Sequence, residues 1–458
     1  MAGPRLPDPV SFPQTISPSE PADNRTIHGD NNKTGQAQGP PYHDFGRRNQ
    51  VTNQERIRAR IARSKAKREA KRLARAEQYG RMERVMTNQH LFKSLMKRRK
   101  GTDWKQSVMD YCFHAIVRNK RAKDAVLAGA HPEPSRIKKI TLYERGKRRD
   151  VHAVVIDSRV IQGAICDYCI TPLTKPGLIH DNPASTIGKG VTWTRKRIMR
   201  HIRRQWRKTG QKTWALVFDI RHFFDTIRHD LCERIFREVH MDEGLISLAM
   251  HFIKMYQVFD ARNSIGAWRS EQEAKELLER LERNEGVGVS LGSQISQDMA
   301  LCAPNRMDHT AKDLCGAKTF IRYMDDGHAE GTKEEMKALR DAMTRAAESL
   351  GFKLHETKTH IVKLSRGFTY LKIRYTATDS GHVIRRMAKS GIVRMRRKMK
   401  RLRGRWEAGR VTLDDIFLSV KSWLGNVKKY CHGYRTRKRI LAQYYSLFRG
   451  YRMEGMKA

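Results

Sequence analysis

Apolar positions recur along this chain in three patterns, and each predicts a different element. The clearest core strand is the continuous run Trp214-Ala215-Leu216-Val217-Phe218, which closes on Asp219. Succession without alternation predicts a core strand covered on both faces. A second run, Phe320-Ile321-Arg322-Tyr323-Met324, ends in Asp325-Asp326 and is followed by Gly327-His328-Ala329. That predicts a β-hairpin with two adjacent carboxylates at its tip. Lys138 to Tyr143 predicts a strand, Glu144 to Arg149 a basic turn, and Val151 to Ile156 the return strand. Phe368 to Tyr375 reads as one more strand.

Helical spacing dominates elsewhere. Ile392, Met395, Met399, Leu402 and Trp406 form one seam, Ile416, Val420, Trp423 and Val427 a second, and Tyr434 to Phe448 a third. Together they predict a small helical bundle with Arg and Lys on its outer faces and Gly409 as a cap. Glu335–Leu350 and the stretch 228–285 are also expected to be helical, with the charged Glu271–Glu285 on the surface. Residues 85–185 alternate short helical and extended pieces. Gln54 to Glu77 carries ten Lys and Arg among many Ala, with Ile57, Ile61 and Leu73 as sparse apolar points. It predicts a helix whose apolar stripe is too narrow to drive folding alone. Two readings stand for it: a helix that orders on nucleic acid, or a solvated leader. Residues 1–50, rich in Pro, Gly, Asn and Ser, are expected to be disordered.

Composition narrows the partners. The 458 residues are 39% hydrophobic and 31% charged, with 92 Lys and Arg against 48 Asp and Glu, a formal net charge of +44. Such an excess opposes compaction unless a polyanion offsets it, so nucleic acid is the expected partner and an anionic membrane surface the lesser alternative. No apolar run is long enough to span a membrane, and no signal-peptide region is visible. Seven scattered cysteines suit a reducing cytoplasm. Cys166 and Cys169 form a C-x-x-C without a second pair at zinc-like spacing, so they read as buried thiols on a helix from Val160 to Leu173.

Four stretches share one chemistry: 218–227 with Asp219, 288–297 with Leu291-Gly292, the 323–326 tip, and 350–359 with Lys358. An Asp-Asp dipeptide alone is most often a solvated turn. Held together and ionised, the two acids require a divalent cation. If the strand ending at Asp219 pairs with the hairpin, three carboxylates meet at one sheet edge. Nucleotidyl transfer uses such a set to hold two Mg2+ ions, with Mn2+ as the alternative, that activate a 3′-hydroxyl and neutralise phosphate charge. The 286–292 loop admits close backbone approach to a template–nucleotide pair, and Lys358 is placed to neutralise leaving pyrophosphate.

With these stretches in this order, the chain resembles the reverse transcriptases over about residues 100–450. Tyr323-Met324-Asp325-Asp326 matches their motif C, and Asp219 with Phe224 matches motif A. Leu291-Gly292 with Ser296-Gln297 matches motif B, Gly351 to Lys358 motif D, and Phe368-Thr369-Tyr370-Leu371-Lys372 the primer grip. Gly146 to Arg149 and Asp157 to Gln162 resemble the fingers. The resemblance implies an α+β right-hand polymerase, with a disordered segment 1–50, a basic helical leader 51–100, fingers 101–210, a palm 211–384 containing a helical fingers portion near 228–285, and a helical thumb 385–458. It implies metal binding by Asp219, Ile220, Asp325 and Asp326. Lys147, Arg149, Arg159, Phe224, Leu291 and Gly292 would meet the nucleotide, Phe224 as the gate against a ribose 2′-hydroxyl. Tyr370, Leu371 and Lys372 would grip the primer. The implied partners are template RNA, primer or cDNA, deoxynucleotides, and a cognate non-coding RNA or accessory protein.

Leu291 stands where retroviral and group II intron enzymes usually carry Gln, and Gln297 where they carry Pro. With Ser422 to Asn426, this variant resembles the bacterial branch of diversity-generating retroelement and defence-associated enzymes. Loss of an amide at 291 leads us to expect low fidelity. No RNase H region and no DNA-binding or endonuclease tail is expected after the thumb. Two alternatives stay open: a template-independent or RNA-dependent RNA polymerase, and a non-catalytic RNA-binding protein with a polymerase-like core. Phe224 speaks against the first and the intact acids against the second.

Overall fold

The computed structural model describes residues 53–133, 137–144, 147–263 and 271–448. The expected disorder of 1–50 lies outside the described residues, as does the Arg145-Gly146 tip. Contacts divide the chain into two units, Met1–Ile61 and Ala62–Ala458. Of the first, the described part is the beginning of the helix Asn53–Tyr79, which matches the expected leader. All that follows concerns the second unit.

A four-stranded antiparallel sheet lies at its centre, in the order β4 (Ile321–Tyr323), β5 (Asp326–Gly331), β3 (Trp214–Asp219), β6 (His360–Lys363). The apolar run of β3 is covered on both faces as expected. Leu216 and Phe218 pack into a large core shared with the helices Ile156–Ile165, Glu243–Asn263 and Lys333–Glu348. Ala215 and Val217 pack on the other side, against Ile198 and Ile202 of the helix Val191–Thr209. Register places Asp219 opposite Asp326 and Phe218 opposite Gly327. A side chain on Gly327 would stand 1.9 Å from the Phe218 ring, so only glycine fits there.

Two smaller sheets flank this one. β1 (Ile137–Glu144) and β2 (Lys147–Val154) form a separate antiparallel hairpin. Here the structure corrects two boundaries. Lys147, Arg148 and Arg149 belong to the strand, not to a turn, because cross-strand pairing runs out to Glu144 and Lys147. Ile156 opens a helix and does not close the strand. The expected strand Phe368–Tyr375 is likewise two: β7 (Phe368–Tyr370) turns at Leu371 and Lys372, both at positive φ, into β8 (Ile373–Ala377), which pairs with β9 (Val383–Met387). No glycine or proline marks that turn.

The C-terminal seams form the helices Lys389–Glu407, Leu413–Tyr430 and Tyr434–Leu447, packed around Met399, Val420 and Tyr444. Thr412 and Asp415 close a capping box on the second. Gly409 ends the first at φ 66°. Cys166 and Cys169 are fully buried, within a π-helical turn, Cys166–Ile170. The chain therefore combines helices with antiparallel sheets. No helix of the described residues is long and apolar enough to cross a membrane.

Candidate active site

A cavity of about 1100 Å³ opens where β3, the 321–331 hairpin, β2 and the 286–292 loop meet. Asp219, Ile220, Phe224, Asp325, Lys358, Arg149 and Leu291 all line it. Residues far apart in sequence are thus gathered by strand pairing: β3 delivers Asp219 to the mouth, and the β4–β5 turn delivers Asp325 beside it. The Ile220 N–H donates to the Asp325 carbonyl (3.0 Å) and fixes the two ends together.

Electrostatics at this point are unfavourable for three ionised acids. Burial, followed by the charges of Asp325 and Asp219, pushes the Asp326 carboxyl up to about 7. Burial raises Asp325 as well, with Asp219 adding to it and Lys358 and Arg149 opposing. Lys358 is in the site, but its ammonium donates to Asp219 Oδ1 at 2.8 Å. The Asp326 carboxyl is hydrogen-bonded to Asp219 and does not line the cavity. Among the described residues no three Asp, Glu, His or Cys side chains are grouped so as to hold a metal ion. The oxygen donors fit a hard divalent cation in kind. One of them, Asp219 Oδ1, is occupied by the Lys358 ammonium.

The β4–β5 turn rests on a buried ion pair that apolar patterning does not reveal. Arg322 is fully buried in β4. It bonds both oxygens of Asp308 (2.7 and 2.8 Å) and donates to the carbonyls of Leu301 (2.8 Å) and Met324 (2.9 Å). Met324 has φ 57°, and its carbonyl is therefore held from inside the protein. From the other side the Tyr370 hydroxyl donates to the Asp326 carbonyl at 3.1 Å.

The remaining expected residues divide. Phe224 is half-buried at the cavity wall, edge-on to Phe223, and its carbonyl accepts from Val289 N–H (2.9 Å), which ties the 286–292 loop to the 219–227 turn. Gly292, at φ 98°, lies just outside the cavity against Val151. Arg149 lines the cavity from β2, whereas the side chain of Lys147 lies outside the described residues. Arg159 is not brought to the site: its guanidinium donates to the Arg98 carbonyl (2.9 Å) in the helical core, where an arginine satisfies a helix end. Tyr370 is buried under the hairpin. The Leu371 carbonyl accepts from Arg195 (2.9 Å) and the Lys372 carbonyl from Ala388 N–H (3.1 Å). Of the three primer-grip candidates only Lys372 has an exposed side chain.

Residues 137–375, slightly more than half of the chain, match the family model for reverse transcriptase (RNA-dependent DNA polymerase). The chain belongs to the reverse transcriptase family. A search of curated proteins returns no match to it. The family match begins at the first residue of β1 and ends within β8, so it contains the whole cavity and stops before the C-terminal bundle. Membership carries template–primer binding and nucleotidyl transfer as general properties of this reverse transcriptase.

Proposed function

We propose that the chain is an RNA-directed DNA polymerase that makes cDNA by two-metal nucleotidyl transfer. The observation that supports this reading is the pairing of β3 with the 321–331 hairpin, which brings Asp219 and Asp325 to the wall of a cavity also lined by Phe224, Leu291 and Arg149, with Asp326 beside Asp219. Asp219, Asp325, Asp326 and the Ile220 carbonyl would hold two Mg2+ ions, or Mn2+. When bound, these supply charge neutralisation for the attacking and leaving oxygens. Lys358, released from Asp219, is the cation available to the departing pyrophosphate. Arg149 offers its fork to the triphosphate. Phe224 narrows the wall against a ribose 2′-hydroxyl.

Leu291, in place of an amide, supports low fidelity, and the Leu291-Gly292 and Ser296-Gln297 variant supports a bacterial retroelement or defence system acting with a cognate RNA. The test is primer extension by the full chain on an RNA template. Wild type with deoxynucleotides and Mg2+ is expected to extend, and Asp325→Asn to fall by at least about 10³-fold. Extension without template, or preference for ribonucleotides, would move the assignment to the alternative polymerase classes. Equal activity in Asp325→Asn would remove the metal assignment.

A further inference from the structure

In the wall of the cavity, one imidazole links β2 both to the helix Glu243–Asn263 and to the 286–292 loop. His152, on β2 and only about one-tenth exposed at its side chain (10%), has Nδ1 3.0 Å from Ser290 Oγ and Nε2 3.1 Å from Asp260 Oδ2. Asp260 belongs to the helix Glu243–Asn263, and Ser290 immediately precedes Leu291. The Ser290 hydroxyl also lies 3.3 Å from the Leu291 carbonyl. Lys139, the register partner of His152 on β1, donates to the second Asp260 oxygen at 2.9 Å. One carboxylate is thus gripped by both strands of the β1–β2 hairpin, and the imidazole passes that grip on to the loop. Tyr256 and Phe259 flank the ring at 5.5 and 6.3 Å and fix its plane.

The loop has other ties: Gln257, on the same helix as Asp260, donates to the Val287 carbonyl (2.6 Å) and the Gly288 carbonyl (3.3 Å). Val289 N–H bonds Phe224 and Gly288 N–H bonds Ile227, so these hold the loop to the 219–227 turn. The neighbouring contact on β2 is one of shape: a Cβ on Gly292 would meet Val151 Cγ1 at 2.9 Å. His152 therefore supplies the polar link between the arm that carries Arg149 and the loop that carries Leu291.

We propose that His152, anchored by Asp260, is a positioning residue for Leu291 and thereby sets nucleotide selectivity. This rests on the polymerase reading of the cavity. Because the hydrogen-bond partners of His152 are Ser290 and Asp260 and not Asp219, Asp325 or Asp326, its loss should move the nucleotide and leave the chemical step in place. In kinetic terms, KM for deoxynucleotide rises and the ratio of correct to mispaired insertion changes, while kcat is nearly held. Two replacements separate this role from simple core filling. In His152→Asn the amide occupies the place of Nδ1 and keeps the Ser290 contact. In His152→Gln it occupies the place of Nε2 and keeps only Asp260.

The experiment measures steady-state insertion of each deoxynucleotide on an RNA template by wild type, His152→Ala, His152→Gln and His152→Asn. For His152→Ala we expect KM to rise on the order of ten-fold with kcat within about three-fold, since one buried polar link is lost. His152→Asn should recover most of the selectivity and His152→Gln little of it. Unchanged KM and mispair ratio in all three, or KM and kcat shifting together with the melting temperature, would overturn the proposal. If wild type itself extends no primer, the polymerase reading falls, and amide hydrogen exchange tests the link alone. Faster exchange over 287–291 in His152→Ala supports it; unchanged exchange overturns it.

Discussion

Two antiparallel hairpins face each other across the cavity, and they are built in opposite ways. The β4–β5 hairpin is anchored from within. Ile321, Arg322, His328 and Ala329 are fully buried, its turn is held through Arg322, and β5 pairs with β3 along its whole length. The β1–β2 hairpin is a sheet of its own, seated on the main core at its base through Ile137 and Val154. Leu142 and Tyr143 further out are exposed, and polar clasps at Asp260 and Thr141 hold the strands there. The difference follows from what each presents. On the proposed function, carboxyls that converge on cations would need positions fixed to a fraction of an ångström, and a cationic arm that receives and releases a triphosphate would need charge and reach.

The largest expected effect tests the anchoring itself. Arg322→Met leaves Asp308 buried without its partner, at a cost of about 3–5 kcal/mol. The double variant Arg322→Met with Asp308→Leu should recover much of that, because an apolar pair of similar volume needs no desolvation. On the opposite hairpin, Leu142→Ala at a half-exposed position should cost under about 1 kcal/mol. Urea unfolding of the full chain measures all three. Equal costs for Arg322→Met and Leu142→Ala would abolish the contrast.

The second prediction uses sign in place of size. The Asp326 carboxyl is raised to about 7 by burial and then by Asp325 and Asp219. Its unfolded value is about 3.9. Between those values the folded state holds a proton that the unfolded state has lost, so this contribution to stability is full below about pH 4 and is lost as pH rises to about 7. Relative to Asp326→Asn, wild type should therefore weaken across that window. Asp260 behaves oppositely. Burial would raise it, but His152 and Lys139 outweigh burial and lower it. Its contribution is present above the unfolded carboxyl value and is lost as pH falls below that range. Unfolding midpoints of wild type, Asp326→Asn and Asp260→Asn over pH 3–9 should give slopes of opposite sign for the two sites; slopes of the same sign would refute the electrostatic reading.

What could be read in advance follows the same division. Asp219 and the 325–326 tip were legible because each ends an apolar run, and paired strands bring such ends together. The C-terminal seams were legible because 3.6-residue spacing is local. Lys358 was found, but its bond to Asp219 spans 139 positions, and no local pattern encodes that pairing. Arg322 inside an apolar run gives no sign of being buried, because its partner Asp308 sits on a separate helix, Asn305–His309. His152 carries no local sign of its role, because its partners Asp260 and Ser290 lie 108 and 138 positions away. Arg159 lies in a stretch that resembles the family, yet its guanidinium bonds a helix end 61 positions away, a pairing no local pattern encodes. The turn at Leu371 and Lys372 was missed because it is made without glycine, asparagine or proline.

The smallest expected effect concerns a single hydroxyl. The Tyr370 ring is buried below the β4–β5 turn, and its hydroxyl donates to the Asp326 carbonyl. Tyr370→Phe removes that bond and keeps the ring against His328, whose centroid lies 5.7 Å away. One neutral hydrogen bond contributes about 1 kcal/mol. The corresponding bond on the other hairpin joins Thr141 Oγ1 to Asp150 at 2.7 Å, on an exposed face. Thr141→Val there should change stability by no more than about 0.5 kcal/mol, since water replaces the lost partner. Tyr370→Phe should also loosen the backbone under Asp326, which predicts faster amide exchange over 324–327 with the rest of the sheet unchanged. If Thr141→Val proves the costlier of the two, the β1–β2 arm is held by its polar clasps as firmly as the β4–β5 turn is held by its core, and the assignment of rigid and yielding hairpins must be reversed.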